Sequence, residues 1–296
     1  MPEDKAVGFI GLGNIGLPAA CNLLERGWRV IGYSLSGMQP FAAAGGELGA
    51  SAAEVARRCD VVIMCLPVAA ALEAAFYGAD GVLSGLRAGS VVIDLASYAL
   101  ADKMRLRDAI TAAGGALLDC EITARAAGNS VRAREAVIFV GGAAELAEQC
   151  RPLLESITND CVYVGPFGAS LKVKTVNNLL VGVHALAAAE AMALGVKAGI
   201  EPRILARLLP LGAGGSAALS NYVGAMADRD FERIIAGQMG VFIKYFKLIE
   251  ELATQCDAVT PLADVSAGYF REAIANGQGL RDMQSLFELL SDKSRR

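Results

Sequence analysis

Short apolar runs punctuate the first half of the chain. Ala6–Ile10, Arg29–Tyr33, Val61–Cys65, Val91–Leu95, Leu117–Cys120, Val137–Val140 and Val162–Gly165 are each too short for a helix and read as strands. Helical periodicity separates several of them, as at Ile15, Ala19 and Leu23, through Ala52–Arg58, and through Leu100–Ala113. Such short runs, bounded by Gly and Pro, fit strands covered on both faces, so the spacing predicts a doubly wound α/β sheet. From about Ser170 almost only helical periodicity remains. One very long helix is expected from Ser170 to Ala198, stopped at Gly199, with shorter ones near Arg203–Leu209, Ala217–Ala227, Met239–Cys256, Pro261–Asn276 and Met283–Leu290. Pro202 and Pro261 stand where a helix can begin, because a first-turn residue needs no N–H partner. The reading is two domains, residues 1–165 built on the sheet and residues 166–296 all-helical, joined by the long helix. The hinge falls at Gly165-Pro166-Phe167-Gly168, and the cleft between the parts is where an active site is expected.

The first strand breaks at Gly11-Leu12-Gly13-Asn14-Ile15-Gly16, and a helix follows at once. In a strand–turn–helix unit Gly11 permits the tight turn, Gly13 lets a pyrophosphate approach the backbone, and Gly16 lets the helix pack closely on the strand. The phosphates would sit on the free N–H groups and positive end of that helix, with Leu12, Asn14 and Ile15 completing a dinucleotide-binding turn. A glycine loop of the methyltransferase kind, or a turn with no ligand, are the other readings. A wholly helical second domain argues against the methyltransferase.

At 296 residues, just over half of them apolar, the chain suits two domains with real cores. Its net charge of −4 comes from 27 basic and 31 acidic residues with no basic concentration, which argues against nucleic acid or an anionic membrane surface. The start, MPEDKAVGFIG, passes from an acidic tip into the first strand with no leader pattern, so a cytoplasmic protein is expected. Val176–Val196 is apolar, but Asn177, Asn178, His184 and Glu190 interrupt it, and a buried interdomain helix is expected rather than a membrane span. Seven scattered cysteines without CxxC spacing suggest neither disulfides nor a metal site. His184, the single histidine, is read as a packed core residue.

The second strand ends Tyr33-Ser34-Leu35-Ser36, without the carboxylate that ordinarily meets the adenosine ribose. Its absence removes repulsion of a 2′-phosphate, and Ser34 offers a hydroxyl. The expected cofactor is NADP, with NAD possible, since no arginine follows the strand.

Lys174 lies near the start of the long helix, and Asn178 one turn on projects from the same face. A lysine partly desolvated there could have a lowered pKa and act as acid and base. Spacing alone leaves a surface lysine with a packing asparagine equally open.

GFIGLGNIGLPAACNLLERG, CLP at 65–67, VIDLASY at 92–98, KTVNN at 174–178 and FIKYFKLIEELA at 242–253 occur in the order seen in the 3-hydroxyisobutyrate dehydrogenase family. The chain resembles this β-hydroxyacid dehydrogenase group, related to 6-phosphogluconate dehydrogenase, over nearly its whole length. The resemblance implies a Rossmann domain followed by an all-helical domain, a homodimer or homotetramer, and NAD(P)-dependent interconversion of a small anionic 3-hydroxy acid and its semialdehyde. It makes Lys174 the catalytic lysine, with Asn178 holding it or the substrate hydroxyl, and Asn177 a neighbouring substrate residue. It also places Leu66, Pro67 and Ser97 along the nicotinamide and its ribose, and Lys244 near the cofactor.

The chain departs from the family pattern at three places. Tyr245 stands where an aspartate usually follows Lys244. The family's DxPVSGG substrate loop is Asp119-Cys120-Glu121-Ile122-Thr123-Ala124-Arg125 here, and the segment after it is about two residues longer, ending at 134–136. Thr123 keeps a hydroxyl for the substrate carboxylate; Ala124 and Arg125 replace the paired glycines. Arg125 could grip an anion bidentately, or form a solvated basic surface with Arg132 and Arg134. A small anion other than standard 3-hydroxyisobutyrate is therefore expected. Gly168-Ala169-Ser170 replaces a GxG, with Ser170 expected to cap the long helix. Two other functions stay open: a dehydrogenase scaffold that has lost chemistry and senses nucleotide, and an imine reductase. Imine reductases usually carry Asp or Tyr at the position of Lys174, which counts against the latter.

Overall fold

All seven apolar runs form strands, and an eighth joins them: β1 (Val7–Ile10), β2 (Val30–Tyr33), β3 (Glu47–Leu48), β4 (Val61–Met64), β5 (Val91–Asp94), β6 (Ala116–Thr123), β7 (Val137–Gly141) and β8 (Asp160–Gly165). The computed structural model describes residues 6–293, so the acidic tip behind the leader argument lies outside the described residues. The chain divides into two compact units, Met1–Lys174 and Thr175–Arg296.

In the first unit the sheet order is β3-β2-β1-β4-β5-β6-β7-β8. Strands β1 to β6 pair in parallel, which is the doubly wound arrangement expected. Strand β6 then pairs antiparallel with β7, and β7 parallel with β8. The helices are α1 (Gly16–Glu25), α2 (Met38–Ala43), α3 (Ala52–Arg58), α4 (Ala69–Leu72), α5 (Val82–Gly85), α6 (Leu100–Ala112), α7 (Ala127–Arg132) and α8 (Ala144–Ile157).

Alternation along each strand feeds two cores. Phe9, Ile63, Ile93 and Ile122 pack on one face with Leu23 of α1 and Leu153 of α8. Ile10, Val62, Met64 and Val92 pack on the other with Val55 of α3 and Leu106 of α6. Each such side chain contributes roughly 1.5–3 kcal/mol by leaving water. Coverage on both faces does not extend to β8, where Val162 and Tyr163 are exposed. As the last strand of the sheet it has a neighbour on one side only. The two-residue β3 escaped the apolar pattern because it pairs through Glu47, whose carboxylate takes Arg29 and Arg58.

Helix α9 (Ala169–Lys197) is continuous and runs from the first unit into the second. By length and composition it is the one helix among the described residues able to cross a membrane. Within the second unit, however, Ala185, Leu186, Ala189 and Met192 pack into a core with Tyr222, Phe242, Phe246 and Phe270, as a core helix would. His184 departs from expectation: it is half-buried rather than enclosed. Helices α10 (Pro202–Leu208), α11 (Ala217–Asp228), α12 (Met239–Cys256), α13 (Pro261–Ala275) and α14 (Leu286–Asp292) complete this unit, with α10 and α13 starting on the anticipated prolines. A Cβ at Gly182 would lie 2.7 Å from the Phe246 ring, so glycine permits the α9–α12 contact.

Candidate active site

The sheet reverses its order at β1, with β2 on one side and β4 on the other. Ligands of such sheets bind beyond the carboxyl ends of the strands at this point. The glycine turn lies there. Gly11 has φ 95°, and a Cβ on it would meet the Cys65 carbonyl oxygen at 2.3 Å. A Cβ on Gly16 would meet the Gly11 carbonyl oxygen at 1.9 Å, so both positions require glycine. Gly13 differs: a Cβ there meets nothing, and Gly13 and Asn14 are exposed. No side chain caps α1 at Ile15 and no acidic residue occupies its first turn. The turn thus presents open backbone and an uncapped positive helix end, which fits a pyrophosphate.

Around it, Leu12 is buried and packs in the sheet core, so its part in the turn is through its backbone. Leu66 is buried and Pro67 exposed beyond β4; the Tyr98 hydroxyl donates to the Leu66 carbonyl at 3.1 Å and ties that loop to the one after β5. Ser97 lies in this second loop. At the end of β2, Ser34 Oγ accepts from the Ser36 N–H at 3.4 Å, and Leu35 is 95% exposed. A Cβ on Gly37 would fall 2.1 Å from the Leu12 carbonyl oxygen, so this segment packs directly on the turn.

The substrate segment is ordered differently from the loop expected. Asp119 to Thr123 are part of β6, with Ala124 and Arg125 just beyond. Strand alternation sends Cys120 and Ile122 into the core and Asp119, Glu121 and Thr123 to the opposite face. Arg125 is exposed. The three arginines do not make one basic surface. Arg132 pairs with Glu25 and donates to Asn22, while Arg134 donates to the carbonyls of Glu155 and Ser156 at the end of α8. Asn22 in turn donates to the carbonyls of Val131 and Ile157, so α7 is clamped to α1.

Helix α7 also abuts the glycine turn, for a Cβ on Gly128 would lie 2.2 Å from the Asn14 carbonyl oxygen. Gly128→Ala is expected to cost about 1–3 kcal/mol through overpacking. By displacing the turn it should weaken dinucleotide binding about tenfold. A thermal melt and a cofactor fluorescence titration check this, and unchanged values in both would contradict it.

At the start of α9, the Ser170 hydroxyl and the Gly168 N–H both donate to Asp119 Oδ2, at 2.5 and 3.2 Å. Ser170 sits inside the helix and anchors it to β6 instead of capping it, which corrects the expectation. One turn on, Lys174 is 9% exposed and its Nζ donates to the Ile122 carbonyl at 2.8 Å, next to Thr123. The helix thus holds Lys174 against the end of β6.

In the second unit Asn178 is 4% exposed. Its Oδ1 accepts from Asn177 Nδ2 at 3.5 Å, and its own Nδ2 is buried without a hydrogen-bond partner. A buried amide donor left open costs stability unless a ligand takes it. Lys244 on α12 is half-buried, with Nζ 5.1 Å from the Tyr245 ring centroid. The aromatic ring thus takes a cation–π contact where a carboxylate was the family expectation.

Sequence reasoning missed a buried charge cluster under these loops. Lys103 of α6, 1% exposed, places Nζ 3.2 Å from Asp94, 2.5 Å from Asp119 and 2.9 Å from Glu121. Burial disfavours its ammonium, but the three carboxylates outweigh that and raise its pKa well above the usual value. Burial also pushes Asp94 up to about 6 and raises Glu121, both against the pull of Lys103. The signal available was carboxylates at Asp94, Asp119 and Glu121 within otherwise apolar strands.

Known proteins agree with this arrangement. Residues 6–165 match the NAD-binding domain of 6-phosphogluconate dehydrogenase, and residues 168–290 match the domain described as NAD-binding of NADP-dependent 3-hydroxyisobutyrate dehydrogenase. The chain is 32% identical to the NAD-dependent L-serine dehydrogenase of Pseudomonas aeruginosa over 96% of its own length and 98% of that protein's. It is 34% identical to the 3-hydroxyisobutyrate dehydrogenase of the same organism, covering 97% and 99%. A 3-hydroxyisobutyrate dehydrogenase structure from Salmonella typhimurium superposes with TM-score 0.89 at 27% identity, over 97% of this chain and all of that one. With the glycine turn, the two-domain plan and these matches together, the chain belongs to the 3-hydroxyisobutyrate dehydrogenase family, related to 6-phosphogluconate dehydrogenase, and is an NAD(P)-dependent 3-hydroxyacid dehydrogenase.

Proposed function

We propose that the enzyme interconverts a small anionic 3-hydroxy acid and its semialdehyde, with Lys174 as the general acid and base and NADP as the preferred nicotinamide. The observation that carries this is the buried Lys174 Nζ, fixed by the Ile122 carbonyl beside Thr123. The bound nicotinamide would supply the hydride acceptor. In the oxidative direction the neutral amine of Lys174 takes the hydroxyl proton as the carbonyl forms, and in reduction the resulting ammonium returns that proton to the alkoxide. Asn178, whose amide N–H is open, donates to the same oxygen and stabilises charge developing there. Thr123 donates its hydroxyl to the substrate carboxylate. Ala124 and Asn177 flank it, and Arg125 supplies a cationic partner for the anion.

The exposed Leu35 between two serines supports NADP, because no carboxylate repels a 2′-phosphate there. Gly11 to Gly16, Ser34, Leu66, Pro67, Ser97 and Lys244 serve the cofactor on this reading. Dissociation constants for the two oxidised cofactors test the preference, with NADP expected to bind at least about threefold tighter; tighter NAD binding would overturn it. A panel of short 3-hydroxy acids tests the substrate: a substituted or differently charged acid should exceed 3-hydroxyisobutyrate in kcat/KM, and best activity on 3-hydroxyisobutyrate would contradict the argument from Ala124 and Arg125. A homodimer or homotetramer is proposed as the working form, which sedimentation tests.

A further inference from the structure

Ser170 is fully buried and donates its hydroxyl to the Asp119 side chain on β6. Lys174, one turn further along α9, donates to the Ile122 carbonyl on the same strand. Residues four apart project from one helical face, so α9 meets β6 through both side chains. A helix held at one side chain can still pivot about that contact, and a second contact a turn away removes the pivot. Asp119 is itself fixed: Oδ1 lies 2.5 Å from the Lys103 ammonium, and Oδ2 also accepts from the Gly168 N–H at 3.2 Å. On the β7 side the fit is close. A Cβ on Gly141 would lie 3.3 Å from the Pro166 carbonyl oxygen and from the Ser170 nitrogen. The helix start therefore has a defined seat, with the Ser170 hydroxyl aimed into it. The glycine that the family pattern places at 170 has no side chain, so this contact belongs to the present chain.

We propose that Ser170, seated on Asp119, is a positioning residue for Lys174: its hydroxyl removes a pivot from the first turns of α9 and keeps Nζ at the end of β6, beside Thr123. The inference deepens the reading of Lys174 given above. It rests on that reading for its kinetic consequence and not for the contact itself.

Ser170→Ala is the informative change. Alanine removes the hydroxyl, adds no atoms and is the better helix former, so α9 is kept. The Asp119 oxygen retains the Gly168 N–H, so no buried acceptor is left open. The first arm needs no turnover. Acetylation of the Lys174 amine by acetic anhydride is followed by mass spectrometry, with exposed Lys172 on the same helix as internal reference. Labelling of Lys174 relative to Lys172 should rise about threefold or more as local opening becomes easier. In the second arm the enzyme–NADP complex is mixed with the most active 3-hydroxy acid of the panel above, and cofactor reduction is followed through one turnover. The rate constant should fall about tenfold, the weight of one hydrogen bond in holding an orientation, with the amplitude unchanged. In a Lys174→Met background the same substitution should change the residual rate less than about twofold. Unchanged labelling would overturn the proposal, whatever the rate. So would a fall in amplitude at constant rate, the mark of fewer folded molecules, or a full further loss in the Lys174→Met background. A rise in labelling with rate and amplitude both unaltered would keep Ser170 as the seat of Lys174 and sink Lys174 as the acid and base instead. Should the wild type oxidise none of the panel, the substrate reading fails and the labelling arm still decides the role of Ser170.

Discussion

Replacing Lys174 with methionine is expected to lower kcat by about 10²–10⁴, the range supplied by a positioned general acid and base, while the dissociation constant for NADP changes less than about twofold. Methionine keeps most of the aliphatic stem, so the packing of α9 on the end of β6 is retained while the polar contacts of Nζ, the hydrogen bond to the Ile122 carbonyl among them, are lost. Anchoring of the helix start does not depend on Lys174, because Ser170 and Gly168 hold Asp119 independently. A loss confined to turnover therefore isolates chemistry from folding and from cofactor binding. Steady-state kinetics with a fluorescence titration measure both quantities. Near-normal kcat would remove Lys174 from the reaction.

The largest expected effect on stability belongs to Lys103→Met. The substitution leaves Asp94, Asp119 and Glu121 buried with no cation among them, and breaking a buried pair from one side costs about 3–5 kcal/mol. The pH dependence has a definite sign. Asp94 is raised from 3.8 to about 6 by burial, then by Glu121 and Asp119, against Lys103. The folded state accordingly holds more protons than the unfolded one between those values. Stability from this group is full below about pH 4 and declines as pH rises through about 6. Glu121 is raised in the same direction, burial again the first cause. Removing Lys103 takes away the one influence that lowers both, so the decline should deepen and shift upward in pH. Denaturation midpoints across pH 4–8 should therefore separate the variant from wild type most at the alkaline end. A constant difference across the range would contradict this account of the cluster.

What the sequence made legible was local. Gly11 and Gly16 could be read from spacing because their steric demands are set by the strand and helix on either side. The apolar strands were visible for the same reason, since burial on both faces leaves a continuous run. The extension of β6 beyond Cys120 was not read, because Glu121 to Thr123 fall in the substrate-loop pattern of the family, although the alternation of Asp119 and Glu121 with Cys120 and Ile122 is that of a strand. Lys103 looks like any helix lysine until three carboxylates from two strands converge on it. Ser170 was read as a cap because local chemistry favours that, whereas its hydroxyl is taken by Asp119, 51 residues earlier. Arg132 and Arg134 likewise resemble a basic surface in sequence, and only the fold shows that they bind Glu25 and the end of α8. In each case the missing information was a long-range partner.

The most direct test of the central claim is a crystal structure of the enzyme with oxidised NADP and a slowly oxidised 3-hydroxy acid. Lys174 Nζ should lie within hydrogen-bond distance of the substrate hydroxyl, with the pyrophosphate against the Gly11–Gly16 turn. An ammonium turned away from that oxygen, with another group in its place, would contradict the account.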